Sequence, residues 1–148
     1  MVNVSRTFSA AVPRDVAVAY LADFGNAEEW DPGTVSCTRI GDGPVERGAR
    51  WRNVSRILGR ETELGYELVE KRQDGVTFQG RNDTATSTDR IDVHSAAEGS
   101  QIVYRATIRF HGVARLADPL MRLVFERLAG KTVDQMTHAL ERHAEQRG

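Results

Sequence analysis

Asn53 and Ser55 stand two residues apart in ARWRNVSRIL, where the alternate positions carry Arg50, Arg52 and Arg56. Successive strand side chains point to opposite faces, and three arginines belong in water. Trp51, Asn53, Ser55 and Ile57 are therefore expected to point inward. A polar group buried without a partner costs ~1–3 kcal/mol, so this amide and hydroxyl call for a wet cavity, a local hydrogen bond or a ligand. Tyr66 in ETELGYELVE shares its inward phase with Leu64 and Leu68, opposite Glu63, Gly65 and Glu67. Tyr104 in SQIVYRATIRF lies in phase with Ile102, Ala106, Ile108 and Phe110, opposite Arg105, Thr107, Arg109 and His111. Each tyrosine brings an apolar body with a hydroxyl tip. VTFQGRND adds Phe78 and Asn82, with Arg81 beside them. Such a set suits either the binding of an apolar molecule or proton movement on one held in place, and core packing satisfies the same pattern.

Other chemistry is not signalled. His94, His111, His138 and His143 show no metal-ligand spacing, and side chains five apart on a helix diverge, so neither a metal nor a cofactor is expected. The chain has no nucleophile-elbow, phosphate-loop or dinucleotide motif. Asp23, before Phe24-Gly25, reads as a turn-forming carboxylate more than a base. Cys37 lies in the strand-like TVSCTRI and reads as structural. No inward acid–base pair stands out.

Of 148 residues, 40% are hydrophobic and 28% charged, with a net charge of −1. This is the composition of one ordinary globular domain spanning residues 1–148, without the basic excess that nucleic-acid binding needs. A single cysteine excludes an intrachain disulfide. No apolar run approaches the ~20 residues of a membrane span, and no signal peptide is visible. The expectation is a cytoplasmic protein; the oligomeric state is left open.

The elements that must position these residues follow from turn signals and periodicity. Val2 to Val12 reads as a strand, and Pro13 with Asp15 suits the first turn of a short helix. Val16, Ala19, Tyr20 and Ala22 give that helix an apolar stripe. Asn26 and Glu29 resemble a capping box, which starts a second short helix ending at Trp30. Strand-like segments follow, broken at Gly41 to Pro44, Gly59-Arg60, Asp74-Gly75 and Glu98-Gly99; Asp74-Gly75 is a hairpin signal. One strand is placed around Asp89 to Ser95. Asp118 can cap a last helix, with Pro119 in its first turn. Met121, Val124, Leu128, Thr132, Met136, Ala139 and Leu140 then recur near one face. The order predicts an α+β fold: a curved antiparallel sheet of about seven strands around one long C-terminal helix, two short helices after the first strand, and room for a cavity.

VPRDVAVAYLADFGNAEEWDP, VERGARW, GYELVEKRQDGVTFQG and TIRFHGVARLADPLMRL resemble the START-like helix-grip superfamily (SRPBCC), in its polyketide cyclase/dehydrase branch. The pattern of Pro13, Val16, Leu21, Asp23, Trp30, Pro32 and Gly48 carries the resemblance, over nearly the whole chain. It implies a hydrophobic cavity between sheet and C-terminal helix, closed at one end by the short helices, with Trp30 packed there as a plug. The implied occupant is a small hydrophobic molecule of lipid, polyketide or isoprenoid type. Its expected contacts are Trp51, Asn53, Ser55, Tyr66, Phe78, Asn82, Tyr104, Ile108, Phe110, Met121, Val124 and Leu128. The alternatives are a polyketide cyclase or dehydratase and a protein-interaction module, the last favoured by a cavity below the ~300 Å³ of usual small-molecule pockets.

Overall fold

The computed structural model describes residues 1–147. Strand β1 (Val2–Ala10) is followed by helix α1 (Arg14–Ala22), a 3-10 turn (Phe24–Asn26) and helix α2 (Ala27–Trp30). Strands β2 (Thr34–Ile40), β3 (Arg50–Ile57), β4 (Arg60–Arg72), β5 (Gly75–Arg81), β6 (Ala85–Ala96) and β7 (Gly99–Phe110) come next. A 3-10 stretch (Gly112–Ala117) leads into helix α3 (Asp118–Arg147). The strands form one antiparallel sheet in the order β1-β7-β6-β5-β4-β3-β2. This is a helix-grip fold: α3 runs along β1 and meets α1 and α2 at the far end. Among the described residues, no helix is long and apolar enough to cross a membrane.

The hairpins explain the register. Leu58 and Gly59 join β3 to β4 with φ of 54° and 75°, the left-handed pair that a tight hairpin consistent with strand twist requires. Between β4 and β5 the two-residue loop is Gln73-Asp74, because Arg72 pairs with Gly75. Gly75 is thus a strand residue, and the loop lies one position earlier than the turn signal suggests. A Cβ there would meet the Ile91 carbonyl at 2.3 Å, so close approach of β6 demands the glycine. On the outer face Arg52 pairs with Glu63 at 2.6 Å and Arg56 with Glu61, as the alternation of charge predicts.

Two local expectations are corrected. On α1, Ala19 is exposed, while Ala17, Val18, Tyr20, Leu21 and Ala22 are buried; the helix packs on α3, β5 and β6 at once, so its buried face is wider than one stripe. Asn26 and Glu29 do not form a capping box. Asp23 already caps this segment, its Oδ1 accepting from Gly25 N at 3.0 Å. Asn26 has helical backbone angles and donates from Nδ2 to the Tyr20 carbonyl at 2.8 Å, while Glu29 accepts from the Tyr20 hydroxyl.

The core is anchored by Phe24, 1% exposed, delivered by that capped turn. Its ring lies 4.4 Å from Tyr66, 4.5 Å from Phe78, 5.9 Å from Trp30 and 6.2 Å from Trp51, centroid to centroid. Trp30 is also 1% exposed and meets Tyr104 edge-on at 6.3 Å. Edge-to-face and offset pairs add stabilisation beyond the area they bury. Replacing Phe24 with Ala should cost ~3–5 kcal/mol, read as a lower urea midpoint with an unchanged slope; a loss below ~1 kcal/mol would refute its anchoring role.

Candidate ligand cavity

Between the concave face of the sheet and α3 lies a cavity of about 550 Å³. Its floor comes from alternate residues of five strands: Val4 of β1, Ser55 and Ile57 of β3, Leu64 and Tyr66 of β4, Ser87 and Asp89 of β6, and Tyr104, Ala106, Ile108 and Phe110 of β7. Its roof is one face of α3, Met121, Phe125, Leu128, Ala129 and Thr132. These roof positions follow the helical repeat of 3.6. Leu58, Arg60 and Ala117 are exposed members of the lining and mark the mouth. Leu58 is 67% exposed, and Val113, Leu116, Leu120 and Leu123 are also exposed.

Eight of the sequence-predicted contacts line this space: Ser55, Tyr66, Asn82, Tyr104, Ile108, Phe110, Met121 and Leu128. The other four do not. Trp51 and Phe78 point inward but are sealed behind Phe24, 5.8 Å apart, with the Arg39 guanidinium 5.4 Å from the Trp51 ring centroid. Asn53 is 1% exposed and is satisfied locally: Nδ2 donates to Thr34 Oγ1 at 3.0 Å, and Oδ1 accepts from Ser55 Oγ at 2.6 Å. The inward phase of these three is as expected, but the short helices fill that end of the sheet. Val124 falls beside the roof face, which takes Phe125 and Ala129 in its place.

Two further candidates have other work. Asn82 holds the β5–β6 turn: Nδ2 donates to Thr62 Oγ1 and the Glu63 carbonyl, and Oδ1 accepts from the backbone of Thr84 and Ala85 at 2.9 Å. Arg81 is exposed and donates to Gln79 at 2.7 Å.

An inward acidic pair is present, contrary to the sequence expectation. Asp31 and Asp89 both line the cavity. Asp31 is a fully engaged turn carboxylate: Oδ1 accepts from Gly33 N at 3.0 Å and Oδ2 from Thr34 Oγ1 at 2.8 Å. Asp89 is 6% exposed and accepts one hydrogen bond, from the Tyr104 hydroxyl to Oδ1 at 3.2 Å. Ser87, Asp89, Ile91 and Val93 share one buried phase. The apolar Ile91 and Val93, at alternate positions after Asp89, are the signal in the sequence that points this carboxylate inward. Tyr66 is held over its cross-strand partner Gly80, where a Cβ would lie 2.5 Å from the ring.

Over residues 1–145 the sequence matches the family described as polyketide cyclase / dehydrase and lipid transport. The chain belongs to this family. Its fold is shared with a START superfamily protein from Mycobacterium smegmatis, at 17% identity and TM-score 0.73, covering 99% of both chains. The Zhui aromatase/cyclase from Streptomyces sp. R1128 aligns at 14% identity and TM-score 0.74, over 98% of this chain and 94% of that one. The di-domain aromatase/cyclase StfQ of the steffimycin pathway aligns at 14% identity and TM-score 0.73; the match takes 97% of this chain and 52% of StfQ. No curated protein matches the sequence.

Within this cavity, burial governs the electrostatics. It pushes the Asp89 carboxyl from an ordinary 3.8 up to about 7, and the charge of Asp31 adds to the rise. The Tyr104 and Tyr66 hydroxyls oppose it by favouring the anion. Burial also raises Asp31, against the Gly33 N–H and the Thr34 hydroxyl. Tyr66 and Tyr104 are held well above their usual value by burial and by Asp89, so their hydroxyls keep their protons. The buried Cys37 thiol is pushed up to about 12, mainly by burial, which makes it a poor nucleophile. His94, His111 and His138 are exposed, and His143 stacks 4.6 Å from Tyr20, away from the cavity lining.

The raised Asp89 gives a signed pH effect. The folded chain keeps this proton after the unfolded chain has lost it, so Asp89's contribution to stability declines as pH rises from about 4 to about 7 and then levels off. Asp89→Asn removes that decline. In urea titrations the stability of the variant relative to the original protein should rise between pH 5 and pH 8. A difference that is flat or falls over this range would contradict the assignment.

Proposed function

We propose that this chain binds a small, largely apolar molecule of lipid, polyketide or isoprenoid type in the cavity between sheet and α3. The carrying observation is the cavity of about 550 Å³, open at one mouth, whose wall is mostly apolar with polar groups interspersed. Ligand sites of small molecules typically measure ~300–1,000 Å³ and have this makeup. The size weighs against a pure protein-interaction role, which a filled interior would have favoured. Membership of a family described by polyketide cyclisation and lipid transport supports the same reading. We take the chain to act in the cytoplasm, on the sequence grounds given above.

A second reading is polyketide cyclisation or dehydration. It is favoured by one observation: Asp89, poised near neutrality beside Tyr66 and Tyr104, is an acid–base group inside an apolar chamber. A general acid or base works best with a pKa near the working pH. On this reading the pocket folds a reactive chain and Asp89 moves the proton.

The test is uptake of an environment-sensitive naphthalene dye, followed by fluorescence. The original protein should bind about one equivalent. Ala106→Phe, placed on the cavity floor where Ala106 is 5% exposed, should weaken uptake about tenfold or more, with an unchanged far-ultraviolet circular dichroism spectrum. Equal uptake by both proteins would remove the cavity as the binding site.

A further inference from the structure

We infer that the ligand enters this cavity with a hydrogen-bond donor at its inner end, a phenol, enol, alcohol or amine carried on an apolar skeleton, and that the free oxygen of Asp89 receives it. The inference rests on the cavity being a ligand site and specifies what that site selects.

The acceptor side of the argument comes from hydrogen-bond bookkeeping. Asp89 is more than nine-tenths buried and lines the cavity. Tyr104 satisfies Oδ1, and Oδ2 accepts no hydrogen bond among the described residues. The Tyr66 hydroxyl also supports the carboxylate charge from close by. Asp31, the other carboxylate, has both oxygens occupied by its own turn. Oδ2 is not among the fully buried polar atoms that lack a partner, so in this otherwise buried residue it is the oxygen that the cavity reaches. A carboxylate oxygen in an apolar cavity lacks the full hydration of bulk water, and a donor from the ligand supplies a hydrogen bond in its place.

The charge balance excludes the opposite polarity. The charged or titratable lining groups are Asp31, Asp89, Tyr66, Tyr104 and Arg60. Arg60 is exposed at the mouth, on the β3–β4 hairpin. The deep end thus has two carboxylates and no cation. A carboxylate, phosphate or sulfate placed there would meet like charge in a low-dielectric space. A lipid entering tail first would leave Asp89 unrelieved. A donor-ended skeleton satisfies Oδ2 while its apolar body covers Ala106, Ile108 and Leu128.

Three probes of one shape separate these cases by calorimetric titration at pH 8: 2-naphthol, naphthalene and 2-naphthoate. 2-Naphthol should bind about tenfold or more tightly than either of the others, since a hydrogen bond to a charged group contributes ~1.5–3 kcal/mol. Asp89→Asn should cut the naphthol-to-naphthoate affinity ratio by about tenfold. Equal binding of naphthol and naphthalene, or tightest binding of naphthoate, would overturn the donor requirement and leave the cavity's role as a ligand site standing. Failure of all three to bind the original protein would overturn both. The ranking on the original protein needs no variant to fold.

Discussion

Phe24 is the contact on which this architecture turns. It reaches the core because Asp23 caps a three-residue turn, and its ring then touches four aromatic side chains from α2, β3, β4 and β5. This one residue fastens the short helices to the sheet. It also divides the concave face in two. On one side, Trp51 and Phe78 are sealed into solid core; on the other, Tyr66 and Tyr104 stand at the wall of an open chamber. The site is therefore the part of the concave face that the short helices leave uncovered.

That division explains what the sequence could and could not disclose. Alternation of charge with apolar residues gave the inward phase of β3, β4 and β7, and the helical repeat gave most of the buried side of α3. Both signals are local: each depends on a period of two or 3.6 residues. Which inward residues meet empty space depends on where α2 and the 3-10 turn come to rest, and no strand period encodes that. Trp51, Asn53 and Phe78 consequently have the predicted direction and a different environment. Val124 fails for a smaller reason, a modest rotation of α3 about its axis that exchanges it for Phe125 and Ala129. Asp89 is hard to see because a strand read as starting at that residue places a lone carboxylate at its end, where water is expected. Its phase is shared with Ile91 and Val93, and β6 from Ala85 adds Ser87 and Ala85 to the same buried row. Asp31 shows the complementary case, a carboxylate whose turn chemistry is evident in DPG and whose exposure to the cavity is not.

The polar groups of the chamber impose a cost that the apolar core must offset. A carboxylate in a mostly apolar wall, as at Asp89, costs desolvation that an apolar residue there would not. Tyr104 and Gly80 moderate that cost. The Tyr104 hydroxyl supports the anion, and the bare backbone at Gly80 lets the Tyr66 ring settle close to the sheet with its hydroxyl near the same carboxylate.

Helix α3 is anchored unevenly along its length. Its fully buried residues, Ala129, Thr132, Met136, Ala139 and Leu140, all lie in the second part of the helix, whereas Leu120 and Leu123 near its start remain more than half exposed. Near the start, Met121 and Phe125 pack only partly on the core, and ion pairs join Asp118 to the Met1 amino group and Glu126 to Arg6. The roof is thus held by close packing where it meets α1 and α2, and toward the mouth by surface charge pairs that salt screens.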